Sequence, residues 1–80
     1  MFSFLLRHSH EPQQCGAVFA AFKGHDSPLR RCPALSSCLS GGHEIWWTVE
    51  AKSEEDALRL LPDYVAERTN AVMVREVQIP

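Results

Sequence analysis

The chain has 80 residues, a formal net charge of −2, 45% hydrophobic residues and 22% charged residues. These values predict one small folded domain over residues 1–80 and exclude a disordered composition. The negative net charge argues against a nucleic-acid-binding surface, and no apolar run approaches the roughly 20 residues of a membrane span. A domain this small is often stabilised by a metal, a disulfide or a second subunit.

The amino-terminal segment and the cysteine count predict the compartment. Residues 1–7 contain an apolar stretch that is too short for a signal peptide and has no basic residues ahead of it. A cytoplasmic location is therefore expected. The three cysteines are an odd number, which favours reduced thiols over a disulfide framework.

The first half of the chain predicts a strand, a helix and a loop. Residues 2–8 alternate as a strand does, with Phe2, Phe4, Leu6 and His8 on one face. Pro12 suits the first turn of a helix over residues 12–23, whose apolar stripe consists of Cys15, Val18, Phe19 and Phe22. Residues 24–33 predict a loop because they combine glycine with two prolines.

The middle of the chain predicts a β-hairpin. Strand-like residues 34–39 and 44–51 flank the pair Gly41-Gly42, a common hairpin turn. With that pair at the centre of the turn, Cys38 is expected opposite Ile45.

The last third predicts a broken helix and a final strand. Ser53 resembles a helix cap, and Pro62 is expected to kink or split the helix that spans residues 53–68. The last strand is predicted over residues 71–79, where the apolar residues change parity and indicate a bulge or a strand buried on both faces.

The predicted order is βαββαβ, an α+β fold of the ferredoxin-like class. Right-handed crossovers place both helices on one face of a four-stranded antiparallel sheet. The other face carries apolar side chains that are best covered by a second subunit, so a homodimer is expected. These side chains are Leu5, Leu35, Leu39 and Trp46.

Five histidines and cysteines are expected at one edge of this sheet. In the predicted topology the end of the first strand, the start of the first helix and the hairpin turn meet there. His8, His43 and Cys15 are the first candidates for metal ligands, and Cys38 or His10 would complete the set. The spacings are not those of a zinc finger or a zincin, so the prediction depends on the fold.

The chemistry of this group leaves three interpretations open. Thiolate and imidazole ligands suit zinc, copper or nickel, and the dipole of the first helix is expected to favour the thiolate of Cys15. A histidine could instead serve as base to a nucleophilic cysteine. Ordinary packing is the third interpretation, because free cysteine is often a core residue and histidines at strand ends are often solvated.

Other conspicuous residues have structural interpretations. Trp46 and Trp47 are neighbours on a strand and must point to opposite faces, with Trp47 in the core. Arg68 reaches the same edge as the histidines and could hold an anion, but a basic residue there also suits a helix C-terminus. His25 and Cys32 are expected at the opposite edge.

The length, the inferred βαββαβ order and the hairpin at Ser40–His43 resemble those of small bacterial ferredoxin-like proteins of the dimeric α/β-barrel type. Those families include small monooxygenases, muconolactone-isomerase-type enzymes and a nickel-binding member. The resemblance is one of architecture and carries over no catalytic residue. It implies a homodimer with a pocket or metal site near the sheet.

Three functions follow from these observations. The preferred one is a small non-enzymatic metal-binding protein. The alternatives are a small dimeric-barrel enzyme, like the monooxygenases or isomerases, and a non-catalytic dimerisation module. Phe4, Phe19, Phe22 and Trp47 look large enough to fill the cavity that an enzyme would need.

Overall fold

The computed structural model of the protein describes residues 1–80 and has an α+β architecture. Four strands form one open antiparallel sheet, and three short helices accompany it, which confirms the predicted class at this level. The elements are β1 (Phe2–Ser9), α1 (Cys15–Ala21), β2 (Leu35–Ser36), β3 (Glu44–Ala51), α2 (Glu54–Leu58), α3 (Asp63–Ala66) and β4 (Thr69–Val74), with 3₁₀ turns at Pro12–Gln14 and Cys38–Ser40.

The strand order in the sheet is β2-β3-β1-β4. The two long strands β1 and β3 pair along their whole length, from Phe2 opposite Ala51 to Ser9 opposite Glu44. On its other side β1 pairs with β4, also antiparallel. The end of β1 is therefore held between the start of β3 and the start of β4, and the candidate site lies at this edge.

The core lies on one face of the sheet because the long strands alternate. Phe4, Leu6 and His8 are buried on β1, and each lies opposite a buried residue of β3. All three helices contribute to the same core, so they cover this face. The ten buried apolar residues are Phe4, Leu6, Val18, Ile45, Trp47, Val49, Ala51, Ala57, Leu61 and Val65.

The hairpin differs from its prediction in length and register. β2 covers only Leu35–Ser36, and Cys38 lies in a 3₁₀ turn rather than in a strand. Ser36, not Cys38, is opposite Ile45. The prediction of a two-residue Gly-Gly turn was wrong, because only Gly41 adopts a positive φ, of 87°, and it caps the 3₁₀ turn instead of centring a tight hairpin.

The first predicted helix is shorter than expected, and the predicted break in the second is confirmed. The segment 12–23 begins as the 3₁₀ turn and becomes α-helical only over Cys15–Ala21. The segment 53–68 is split into α2 and α3, and Pro62 stands immediately before α3, as its ring requires. Ser53 caps α2 by accepting a hydrogen bond from the backbone N–H of Asp56 at 3.2 Å.

The last strand also differs from its prediction. β4 spans Thr69–Val74, whereas residues 71–79 were expected. The residues after Val74 have no regular secondary structure and are exposed, including Val77 and Ile79. The change of apolar parity in the sequence therefore marks the end of the strand and not a bulge.

The second face of the sheet carries several apolar side chains. Leu5 pairs with Val72, and Trp46 pairs with Leu35, which is 76% exposed. Leu39, expected on this face, is fully exposed in the 3₁₀ turn of the hairpin. None of the helices has the length and apolar character needed to cross a lipid bilayer.

Candidate metal site

The end of β1 and the start of α1 are joined by a short hydrogen-bonded turn. Glu11 and Gln14 cap each other, since the backbone N–H of Glu11 donates to Gln14 Oε1 and that of Gln14 donates to Glu11 O, both at 2.8 Å. This turn fixes His10 before it and Cys15 after it. The backbone N–H of His10 also donates to the carbonyl of His43 at 3.1 Å, which ties the turn to the hairpin.

The hairpin loop is closed by Ser37. Its backbone N–H donates to Glu44 O at 2.9 Å, and its Oγ accepts from the backbone N–H of Glu44 at 3.0 Å. Gly42 packs against it so closely that an added Cβ would lie 2.4 Å from Ser37 Oγ. His43 follows with a left-handed φ of 55°, a conformation that non-glycine residues adopt at a cost. The closed loop holds this conformation and directs the His43 ring towards Cys15.

Four of the candidate side chains converge at this edge. Cys15 Sγ lies 3.1 Å from His10 Nε2 and 3.1 Å from His43 Nδ1. Cys38 Sγ lies 3.6 Å from the same His10 Nε2. The ligand atoms of His10, Cys15, Cys38 and His43 all lie within 4.8 Å of one another, so the group could hold a metal ion.

Three of these distances approach those of a tetrahedral site. Zinc bonds of 2.0–2.1 Å to nitrogen and 2.3 Å to sulfur put neighbouring nitrogen and sulfur ligands about 3.6 Å apart and two sulfurs about 3.8 Å apart. The nitrogen–sulfur separations of 3.1, 3.1 and 3.6 Å are therefore within about half an ångström of those in a coordination sphere. The other pairs of ligand atoms lie within 4.8 Å of each other, so the side chains would have to draw together around an ion.

His8 lies outside this group and directly behind it. Its Nε2 lies 2.9 Å from His10 Nδ1, and its Nδ1 lies 3.1 Å from Thr69 Oγ1. His8 is fully buried, and both of its ring nitrogens are engaged in hydrogen bonds. Neither nitrogen is free to face the four-residue group.

The hydrogen bonds fix which nitrogens carry protons. Thr69 Oγ1 donates its only proton to Val65 O at 2.7 Å, so it can only accept from His8 Nδ1–H. His8 Nε2 is then the acceptor for His10 Nδ1–H. The lone pair of His10 therefore resides on Nε2, the nitrogen that faces both thiols.

Burial and neighbouring titratable groups disfavour the charged forms of His8, His10 and Cys15. Burial is the main cause of the lowered pKa of His8, and the neighbouring His10 lowers it further. Burial also lowers the pKa of His10, and the nearby His43 adds to this effect. Burial and then Cys38 raise the pKa of the Cys15 thiol. The expected dipole stabilisation of a Cys15 thiolate was wrong, because burial and the neighbouring Cys38 thiol raise the pKa of Cys15 instead.

The sequence predicted that the five side chains meet at one edge, but it did not predict which of them form the group. The structure groups His10, Cys15, Cys38 and His43, and puts His8 one hydrogen bond away. The alternation of a strand contained this signal, because residues 8 and 10 must share a face. No sequence pattern indicated that Thr69 contacts His8, because this contact depends on the pairing of β1 with β4.

The remaining candidates lie outside the group. Arg68 donates from Nη1 to the carbonyl of Tyr64 at 2.8 Å and stacks on that ring, which fits the predicted role at a helix C-terminus. Cys32 is exposed, and its thiol donates to Pro28 O.

Comparison of this chain with protein-family models, curated proteins and solved structures finds no match.

Proposed function

We propose that the protein binds one zinc ion through His10, Cys15, Cys38 and His43. The supporting observation is the convergence of two imidazoles and two thiols within 4.8 Å. Two sulfur and two nitrogen ligands suit zinc, which they bind tetrahedrally, better than nickel or Cu²⁺, which favour square-planar or tetragonal arrangements.

We infer a structural role for this ion. Four protein ligands fill a tetrahedral coordination sphere, whereas catalytic zinc sites keep one position open for water or substrate. The ion would join the end of β1, the start of α1 and the hairpin loop. The ion would mainly stabilise the position of α1, because this helix buries only Val18 in the core.

His8 is assigned the role of a positioning residue. A metal-bound histidine usually donates its second ring N–H to a fixed acceptor, which orients the ring and raises its basicity. His8 Nε2 is such an acceptor for His10, and Thr69 with Val65 fixes His8 in turn.

The enzyme alternative receives less support from the geometry. A nucleophilic cysteine needs a depressed pKa, but burial and Cys38 raise that of Cys15. A largely apolar cleft is lined by Phe19, Phe22 and Trp47 among others, and Cys15 is not part of its wall. A substrate in that cleft would not contact the thiol.

Three finer features are also proposed. The strand order, with β1 and β3 at the centre, supports a ferredoxin-like arrangement similar to that of the small bacterial dimeric proteins. The apolar side chains of the second sheet face support a homodimer through Leu5, Leu35 and Trp46. Free cysteines support a reducing compartment such as the cytoplasm.

The proposed function is tested by metal analysis of protein purified without a histidine tag. We expect one equivalent of zinc per chain in the wild type and in the Cys32→Ser variant. Cys15→Ser should lose the metal, because it removes the sulfur that contacts both histidines. Zinc-free wild type that also fails to bind added zinc would overturn the proposal, as would equal zinc content in all three proteins.

A further inference from the structure

A cleft separate from the candidate metal site lies on the helix-covered face of the sheet. Its volume is about 250 Å³, and none of the four grouped side chains forms its wall. The floor is apolar and comes from α1 and β3, while the segment before β2 supplies the rim. The lining residues are Phe19, Phe22, Leu29, Arg30, Arg31, Cys32, Ala34, Ser36, Ile45 and Trp47.

The floor of this cleft is suited to a flat apolar group. The rings of Phe22 and Trp47 have centroids 6.0 Å apart and are inclined by 43°, a favourable aromatic arrangement. Phe19 of α1 is 55% exposed at the cleft, and Phe22 directly follows the same helix. A cleft of 250 Å³ is slightly smaller than the roughly 300–1,000 Å³ that drug-sized ligands occupy, so one or two rings would fill it.

The rim carries two positive charges that the protein does not neutralise. Arg30 and Arg31 are both exposed, and neither takes part in any of the four ion pairs of the molecule. Arg31 adopts a left-handed φ of 66°, unusual for a residue with a long side chain. Two free guanidinium groups above an apolar floor make a charged rim in a protein whose net charge is −2. Guanidinium binds carboxylate with paired hydrogen bonds.

We propose that this cleft binds a small aromatic carboxylate. The ring system lies against Phe22 and Trp47, and the carboxylate accepts hydrogen bonds from Arg30 and Arg31. This site does not depend on the metal proposal, since it shares no side chain with the four grouped residues.

The two tryptophans provide a test with an internal control. Trp47 lines the cleft, whereas Trp46 belongs to the opposite face of the sheet. In a ¹⁵N-labelled sample each indole N–H gives one NMR signal, and a Trp46→Phe variant assigns them. Titration with 2-naphthoate should shift the Trp47 signal and leave that of Trp46 in place.

The role of the arginines is tested by pairing a charged probe with a neutral one. The Arg30→Gln/Arg31→Gln double variant should bind 2-naphthoate about tenfold more weakly, because charge-assisted hydrogen bonds are lost. It should bind 2-naphthalenemethanol as the wild type does, which also shows that the cleft is intact. A matched control, Arg59→Gln/Arg75→Gln, removes two exposed charges elsewhere and should leave both affinities unchanged.

Three outcomes would overturn the proposal. They are no shift of the Trp47 signal at millimolar 2-naphthoate, equal shifts of both tryptophan signals, and equal naphthoate affinity in the wild type and the Arg30/Arg31 double variant.

Discussion

His8 Nε2 lies 2.9 Å from His10 Nδ1, and this contact directs the lone pair of His10 towards the two thiols. The contact arises because His10 directly follows β1 and its backbone N–H still bonds to His43 O, so His8 and His10 share a face. It gives His8 and His10 different roles: His10 faces Cys15 and Cys38, while His8 connects it to Thr69 and Val65 in the core.

Replacing the positioning residue should weaken zinc binding without abolishing it. We expect His8→Ala to lower the affinity about 10- to 100-fold, the usual effect of losing a partner that orients a metal ligand. Competition with a chromophoric chelator measures this change. An unchanged affinity would contradict the assigned role, and complete loss would favour His8 as a direct ligand.

Thr69→Val provides a milder version of the same test. Valine keeps the shape of threonine but removes the oxygen that accepts from His8 Nδ1–H. The proton of His8 is then less firmly held on Nδ1, and zinc affinity should fall by less than in His8→Ala. If Thr69→Val weakened zinc binding more than His8→Ala does, Thr69 could not be acting through His8 alone.

Removing a direct ligand should have a larger effect than removing His8. We expect His10→Ala, Cys15→Ser, Cys38→Ser and His43→Ala each to lower zinc affinity more than His8→Ala does. Cys32→Ser is the matched control, because Cys32 is an exposed cysteine outside the group. If Cys32→Ser weakened binding as much as Cys15→Ser, the thiols assigned to the site would be the wrong ones.

The sequence predicted the edge at which these residues meet because strand alternation and the order of elements are sufficient to place it. The burial of His8 and the break at Pro62 also follow from local rules. The path of residues 37–43 could not be predicted in this way. There, the hydrogen bonds between Ser37 and Glu44 and the close approach of Gly42 to Ser37 produce a 3₁₀ turn and the left-handed conformation of His43. Such contacts depend on tertiary packing, which a short Gly-Gly motif does not specify.

Zinc should raise the thermal stability of the protein. A ligand that binds only the folded state adds about 2.7 kcal/mol at a free concentration 100 times its Kd. For a domain of this size each kcal/mol raises Tm by roughly 4–8 °C, so a shift of roughly 10–20 °C is expected. Calorimetry with and without zinc measures it. The Cys15→Ser variant should show a much smaller shift, and an equal shift would place the stabilising ion elsewhere.

The metal-free protein should lose stability as the pH falls. Burial lowers the pKa values of His8 and His10 in the folded state, so below about 6.5 the unfolded chain binds more protons than the folded one. The contribution of these two histidines to the free energy of unfolding is fully present above pH 6.5. It declines as the pH falls towards their lowered pKa values in the folded state. Urea unfolding between pH 7.5 and 5 should show this decline, and His8→Gln should flatten it. A stability that rises over this interval would contradict the assignment.

Zinc affinity should also fall as the pH falls. The imidazoles must be unprotonated, and the Cys15 thiol, whose pKa is raised, must release its proton to coordinate. Binding should therefore strengthen as the pH rises and should release protons into a weakly buffered solution. Calorimetric titrations in two buffers with different ionisation enthalpies measure that release, and a zero proton count would argue against thiolate coordination.

The proposed homodimer is tested on the second face of the sheet. Trp46→Glu places a charge among half-buried and exposed apolar side chains and should shift the protein towards monomer. Ala17→Glu introduces the same charge on the exposed side of α1 and serves as the control. Sedimentation at high micromolar concentration compares the two. A wild type that stays monomeric would remove the dimer proposal.

X-ray absorption at the zinc edge tests the central claim most directly, because it reports the ligand atoms of the bound ion. We predict two sulfur ligands at about 2.3 Å and two nitrogen ligands at about 2.0–2.1 Å in the zinc-loaded wild type. Cys32→Ser should give the same spectrum, and Cys15→Ser should lose at least one sulfur. A coordination sphere of nitrogen and oxygen without sulfur would contradict the assignment of Cys15 and Cys38.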